Sequence, residues 1–545
     1  MYLINLETSG NQAYIFASNK LRNIIGASEL LYRVGTSYVE RALNEVSGRE
    51  FKVEKITDEI PIEKENSPEF EVIIATSGKA LLLAKDREKA KKFITEWSKI
   101  IAVEAPGVDA VAVCSENSFD VSDDIKEYLT TFKETEREMT LLKMREGSSL
   151  ARFQRLPIVA ECAFSGFPAS DIYNGRPISE ISLAQLKISS DSQTRRRFKA
   201  LFPGNASEKV LNGLESLEGK DWLAVIHADG NGLGQLFINF ADNVKKLNEK
   251  LGKEKTTGRD YIDYYRNFSS TLDKISWLAF NETVNKIFKD YDTPPIIPIV
   301  VGGDDLTVVM DGYDSLKFAE SFMATFCERT ENDENIKDIL SIAKMKRLGM
   351  CAGISIAKPH FPFSQSYSLA EELMKNAKLV KNQYGSEAIA LDFHILYDSV
   401  ATSMSDIREK LKIDNRILTQ KPFVIYRNKN EENKEDKEKT VLTPEFEWTV
   451  SHDFYQFRLA VEAIKALPAT QAHSVRDSLF SEHLKTQEAE WQFLLNTYPN
   501  LKNSWDKVKS DLKLYAEVDT EKFSTVFLDA LEMKKFLDDK ENKSL

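Results

Sequence analysis

What this sequence of 545 residues lacks narrows its function first. No run approaches the ~20 consecutive apolar residues that a membrane-spanning helix requires. The opening stretch, MYLINLETSG, has no basic segment leading into an apolar one, so it reads as a first strand and not as a secretory signal. Cysteine is scarce: Cys114, Cys162, Cys327 and Cys351 lie far apart and none forms a CxxC pair. That argues against a disulfide framework and against a zinc site, leaving reduced, mostly buried thiols in a cytoplasmic protein as the expectation. Basic charge is in deficit. With a formal net charge of −12 the overall field does not recruit nucleic acid, so any such binding must be local or come from partner subunits.

What is present is globular. Hydrophobic residues at 42% and charged residues at 29% lie far from disordered compositions, and the length is too great for one ordinary core, suggesting three or four domains. Tyr2–Leu6 is β-prone, and residues 19–46 carry apolar side chains at helical spacing. Glu71–Ala75 and Ala80–Ala84 are apolar runs joined by Thr76-Ser77-Gly78-Lys79, a hairpin signal. A helical stretch, Arg87–Val103, and a strand, Asp109–Cys114, complete the order βαββαβ.

The same order returns later. Trp222–His227 reads as a strand and Tyr261–Tyr291 as a helix; Ile296–Val301 and Leu306–Met310 flank a tight turn; Tyr313–Arg329 is helical and Leu348–Ile356 is a strand. The fold class expected is therefore α+β, with a ferredoxin-like unit duplicated in tandem. Between the copies the chain is mixed and polar, and its basic cluster Arg195-Arg196-Arg197 reads as a solvated helix face. From Ser403 onward the pattern is helical and amphipathic, interrupted by a charge run at Asn428–Thr440 that reads as a mobile loop.

The chemistry concentrates at Ile296–Met310, IIPIVVGGDDLTVVM. Adjacent carboxylates, Asp304 and Asp305, at the edge of an apolar sheet repel each other and lose hydration, an arrangement that a divalent cation makes favourable. Hard oxygen ligands at a tight turn suit magnesium or manganese. Gly302 and Gly303 allow the sharp turn and the close approach of a phosphate. Asp and Gly are also ordinary turn residues, so the second motif matters. In LAVIHADGNGLGQLF an apolar strand ends at Asp229, followed by Gly230, Asn231 and Gly232. In a ferredoxin-like unit that strand end falls near Asp304 and Asp305, so three carboxylates converge beside a glycine-rich turn offering amides and the Gly230 carbonyl to phosphate and metal. The glycine spacing does not fit the dinucleotide-binding fingerprint. Two ions at such a site perform phosphoryl transfer without a protein nucleophile. Lys375, Lys378 and Lys381 lie roughly along one side of a following helix and offer charge for a triphosphate.

With these residues in place the chain resembles the large, polymerase-like subunit of type III CRISPR effector complexes, the Cas-ten family. The resemblance covers roughly Tyr2–Leu396. It rests on Gly302–Asp305, on the Asp229–Gly234 element, on the strand exit Gly353–His360, on the helix Ala370–Lys378 and on Leu391–His394. Asn19–Leu31, NKLRNIIGASELL, resembles the family's first-palm signature. The resemblance implies two palm domains, the second of nucleotide-cyclase type, making cyclic oligoadenylates from ATP in antiviral defence. It makes Asp229, Gly230, Asp304 and Asp305 metal ligands and Lys378 a triphosphate contact. Gly26 and Ser28 of the first palm would complete the nucleotide pocket; read from the residues alone, they pass equally as helix-packing positions.

The expected domains are a first, non-catalytic palm at 1–129, a connecting region at 130–220, the catalytic GGDD palm at 221–401 and a C-terminal helical domain at 402–545. The chain departs from the family in three ways. Asn231 stands where members often carry Asp. The sequence starts directly with the palm, without the HD nuclease domain of many members, and the one His-Asp pair, His452-Asp453, has no partnering ligand set. Cys162–Gly166 resembles a remnant of the family's zinc module with a single cysteine, so zinc is not expected. Trp491, Trp505, Phe454 and Phe457 are expected in a core. Expected partners are ATP in preference to GTP, other defence-complex subunits and guide RNA, with no membrane. A non-catalytic palm-pair scaffold and a GTP-using cyclic dinucleotide synthase stand as the alternatives, and the oligomeric state is open.

Overall fold

Two stretches of the chain close into the same four-stranded pattern. The computed structural model describes residues 1–545 apart from 49, 59, 146–152, 203–216, 218, 292, 398–402, 426–451, 481–482, 509–512, 520–521 and 544–545. The charge run at 428–440 lies outside the described residues. In the first stretch, β1 (Tyr2–Ser9), a helix (Leu21–Gly35), β2 (Phe70–Thr76), β3 (Lys79–Ala84), a helix (Arg87–Glu104) and β4 (Asp109–Cys114) give the sheet order β2-β3-β1-β4. The β2–β3 turn closes at Gly78, whose φ is +68°; a Cβ there would stand 2.2 Å from the Thr8 hydroxyl.

After a small hairpin, β5 (Asp171–Tyr173) with β6 (Arg176–Ile178), the pattern repeats. β7 (Leu223–Gly230), the long helix Gly258–Phe288, β8 (Ile296–Gly302), β9 (Asp305–Asp311), the helix Ser315–Asn332 and β10 (Met350–Ala357) give the order β8-β9-β7-β10. The duplication expected from the sequence is thus present as two sheets of identical strand order. The second sheet grows by β11 (Ile389–Ile395), parallel to β10. A parallel neighbour needs a crossover, and the helix Phe363–Ala377 supplies it, packing on β10 and β7. Pro298, which lacks an N–H to donate, sits on β8 at the sheet edge, where the ladder loses least.

The palms are joined by buried polar contacts. Glu71 on β2 is fully buried and accepts from Arg259, at 2.7 and 2.8 Å, and from Arg266, both on the long helix of the second palm. Those two guanidinium groups hold the Glu71 carboxyl below its ordinary range against the opposing effect of its burial. The Ser28 hydroxyl donates to the Ile299 carbonyl on β8, so the first-palm helix covers that sheet edge. Phe16 stacks on Tyr367, centroids 4.1 Å apart.

Two sequence readings are refined. The apolar pattern over 19–46 is two helices, Leu21–Gly35 and Ser37–Ser47, broken at Thr36. The C-terminal region is mainly helical but also carries a four-stranded sheet built from Lys412–Ile413, Arg416–Ile417, Ala516–Asp519 and Lys522–Ser524, strands too short to leave a periodicity. Trp491 and Trp505 are fully buried, edge to face at 4.8 Å, and Phe454 and Phe457 are buried against Phe423. His452 pairs with the Pro422 carbonyl at 3.0 Å, and Asp453 caps the helix Phe454–Ile464, so this pair has structural duties. Among the described residues no helix is long and apolar enough to cross a membrane.

Candidate active site

The β8–β9 hairpin turns at Gly302-Gly303-Asp304-Asp305, with Gly302 paired to Asp305 and Gly303 at φ +58°. β7 runs antiparallel to β9 with Ala228 opposite Leu306, so the next residues along the two strands are Asp229 and Asp305. The three carboxylates therefore meet because two strand ends are neighbours in the sheet. Gly230 is required there: a Cβ would stand 2.7 Å from the Asp304 Cβ and 2.9 Å from its Oδ2.

Their electrostatics reflect crowding. Asp304 is pushed up to about 7, first by burial and then by the charge of Asp229, with which it shares a hydrogen bond. Asp305 is also pushed well up, by enclosure among protein atoms and by Asp304 and Asp229, although its residue lies on the solvent-accessible lip of the turn. Lys378 opposes both shifts. Its ammonium pairs with Asp229 Oδ2 and donates to the Gly230 carbonyl at 3.2 Å. Among the described residues no group of three or more His, Cys, Asp or Glu side chains is arranged, as it stands, to hold a metal ion.

The other expected site residues divide. Gly232 takes φ +76° and lies against Ser386, with room for a Cβ only 2.5 Å from its hydroxyl. Asn231 is fully buried and turns away from the carboxylates; its side-chain amide donates to the Ala388 carbonyl at 2.7 Å and to Cys351 Sγ at 3.4 Å. Its backbone N–H donates to Gly349. Asn231 thus fastens β7 to its neighbours. Ser28 is buried, its hydroxyl donating to the Ile299 carbonyl. Gly26 is closed off by the helix Glu180–Ser189, where a Cβ would stand 1.9 Å from the Gln185 carbonyl. Both first-palm residues are thus engaged in contacts between elements. Lys375 pairs with Glu371 at 2.7 Å, so of the three spaced lysines Lys378 is the one that reaches the carboxylates.

Several residues at the site were not singled out by the sequence. Asp273 on the long helix accepts from the Gly303 N–H at 3.0 Å, and Ser276, one turn on, donates to the Gly303 carbonyl. These two side chains clamp the turn from behind, and burial pushes the Asp273 carboxyl up. The available signal was polarity at Asp273 and Ser276 inside an otherwise apolar stripe. His227 is buried beside Asp229, bonded through Nδ1 to the Thr307 hydroxyl at 3.0 Å, and burial lowers its pKa. Tyr367 packs 5.3 Å from the His227 ring. Arg197 is not on a solvated face: it pairs with Glu29 at 2.9 Å and lies 4.2 Å from the centre of the Tyr32 ring. A groove lined by Lys274, Leu278, Glu282 and Arg329 includes none of the site carboxylates.

Comparison with known proteins finds similar chains. Solved structures similar to this chain include a Csm1–Csm4 cassette in complex with cA4, at 14% identity and TM-score 0.41, covering 71% of this chain and 53% of that one. The cassette with cA3 is similar at 13% identity and TM-score 0.41, covering 71% and 54%. Csm1 of T. onnurineus is similar at 12% identity and TM-score 0.38, covering 71% and 52%. The chain thus spans about half the length of these relatives. No curated protein sequence matches it. Residues 222–389 match the family described as Cas10/Cmr2, second palm domain, a span that begins at the entry to β7, contains the GGDD turn and Lys378, and ends in β11. Over residues 222–389 the chain is therefore similar to the second palm domain of Cas10/Cmr2 proteins.

Proposed function

We propose that this chain is a metal-dependent nucleotidyltransferase that makes cyclic oligonucleotide messengers from ATP in antiviral defence. The observation that carries the reading is the meeting of Asp229, Asp304 and Asp305 with Lys378 at a glycine turn of a Cas10-type palm. The donors in reach are carboxylate oxygens and the Gly230 carbonyl, hard ligands that fit magnesium or manganese, and a lysine already presents positive charge to two of them. A bound divalent ion supplies the charge that acidifies a ribose hydroxyl and stabilises departing pyrophosphate.

The protein's part is placement. Asp229, Asp304, Asp305 and the Gly230 carbonyl would hold the ion, while Gly302 and Gly303 keep the turn bare for phosphate. Asp273 and Ser276 fix that turn from behind, a rigidity that matters because small misplacement of reacting groups is costly in rate. A ribose hydroxyl oxygen bonds to the α-phosphorus of a second nucleotide, the bond to pyrophosphate breaks, and the hydroxyl proton passes to solvent. In this reading residues 1–129 are a non-catalytic palm, 130–220 connect it to the catalytic palm at 221–401, and 402–545 form the helical domain. The Cas-ten resemblance supplies ATP as the substrate in preference to GTP, and other complex subunits and guide RNA as partners.

The test is incubation of the purified chain with ATP, and separately GTP, plus magnesium or manganese, with products read by mass spectrometry. Pyrophosphate and a cyclic or linear oligoadenylate are expected. A guanine product would reassign the substrate. Asp304→Ala with Asp305→Ala is expected to abolish turnover while the protein stays folded; undiminished turnover would refute the site. Silence both alone and with copurified partners would leave the scaffold reading.

A further inference from the structure

The ion pair inside the site carries a consequence for the order of binding. Lys378 closes the helix Phe363–Ala377 and opens a tight turn, Lys378–Val380, whose next residue, Leu379, is 59% exposed. From that lip its ammonium reaches Asp229 Oδ2 and the Gly230 carbonyl. These are two of the oxygens assigned to the divalent ion in the reading above, on which this inference rests. The side chains of Lys378 and Asp229 are 21% and 26% exposed, so the pair is sheltered yet open to water on one side. An ammonium and a divalent ion on the same two oxygens would repel at contact distance in a partly dehydrated site.

We propose that Lys378 is an internal stand-in for the metal: in the nucleotide-free protein it neutralises Asp229 and blocks ion binding, and an incoming triphosphate draws it away. The triphosphate offers Lys378 anionic oxygens in exchange for Asp229, and its departure frees two ligands for the ion. Metal and nucleotide then bind with positive coupling, which by linkage acts equally in both directions. Metal alone binds weakly, so the protein does not hold a loaded ion without substrate.

The experiment is direct Mn2+ binding to the full-length protein, by titration calorimetry and by loss of the free-ion EPR signal. It is run without nucleotide and with a non-hydrolysable ATP analogue. Lys378→Gln is expected to bind Mn2+ about ten- to a hundred-fold more tightly than the parent without nucleotide, and to lose most of the coupling to the analogue. Lys378→Arg, which keeps the charge, is expected to bind Mn2+ as weakly as the parent. Equal or weaker binding by Lys378→Gln, with an unchanged thermal unfolding profile showing it is folded, overturns the proposal. Asp229→Asn separates the two levels. If it weakens Mn2+ binding while Lys378→Gln does not strengthen it, the lysine inference alone fails. If Asp229→Asn leaves Mn2+ binding unchanged, the metal site itself fails, and this inference with it.

Discussion

Asp304→Asn should stabilise the metal-free protein, and the gain should depend on pH in a defined way. The carboxyl is displaced upward from 3.8 to about 7, chiefly by burial and by Asp229. The sign follows from proton uptake. Below about pH 4 both folded and unfolded forms carry the proton, so the group costs nothing. Between about pH 4 and 7 the unfolded chain ionises and the folded one does not, so stability falls as pH rises. Above about pH 7 the loss is complete. At about 1.4 kcal/mol per tenfold change, the displacement sets a ceiling of ~4 kcal/mol, and the partial access of water to Asp304 brings the expected value to ~2–4 kcal/mol. Asn keeps the shape, carries no charge and donates to Asp229. The assay is unfolding by denaturant or heat in chelator, parent against variant, at pH 4.5 and pH 8. The variant should gain little at the lower pH and ~2–4 kcal/mol at the higher one. A variant equally or less stable than the parent at pH 8, or a gain that does not change with pH, would refute the reasoning. Its turnover should be lost, as expected where a proposed site carries destabilisation for its chemistry.

Other consequences can be read out in the same way. Glu71→Gln leaves Arg259 and Arg266 without their shared carboxylate across the palm interface, so stability should drop by ~3–5 kcal/mol in denaturant titrations near neutral pH. Because the Glu71 carboxyl is held low, that difference should shrink as pH falls below about 4.5, where the unfolded group takes up its proton. Gly230→Ala forces Asp304 off its position, and turnover should fall by about a hundred-fold with the fold retained by circular dichroism. Asn231→Asp sets a carboxylate against the Ala388 carbonyl, so it should cost ~1–3 kcal/mol of stability without tightening Mn2+ binding; a tighter site would refute the inward placement of this side chain.

How much of this was legible in the sequence depends on the range of the interaction. Strand and helix order, the hairpin at Gly302–Asp305 and the duplication follow from periodicity and turn residues, all local properties of the chain. The carboxylate cluster was legible as well, because the ferredoxin-like order fixes which strand ends are neighbours. Lys378 was legible only as one of three spaced lysines; its selection came from the packing of the helix Phe363–Ala377 against β7. Asp273 and Ser276 lie some 30 residues before the turn that they clamp, and nothing local ties them to Gly303.

The sequence by itself determined the residue types that the proposed chemistry needs: three carboxylates, bare glycines and a lysine, in an order that one topology brings together. Tertiary structure decided which way the remaining side chains turn. Asn231 stands between two residues of the site, yet its amide points into the sheet because the Ala388 carbonyl needs a donor there. Ser28 and Gly26 sit in the first-palm signature, yet β8 and the helix Glu180–Ser189 close over them. Arg197 belongs to a basic cluster, yet Glu29 and the Tyr32 ring take it from solvent. Spacing along a chain fixes the face of a helix or strand, but what that face meets is set by elements more than a hundred residues away.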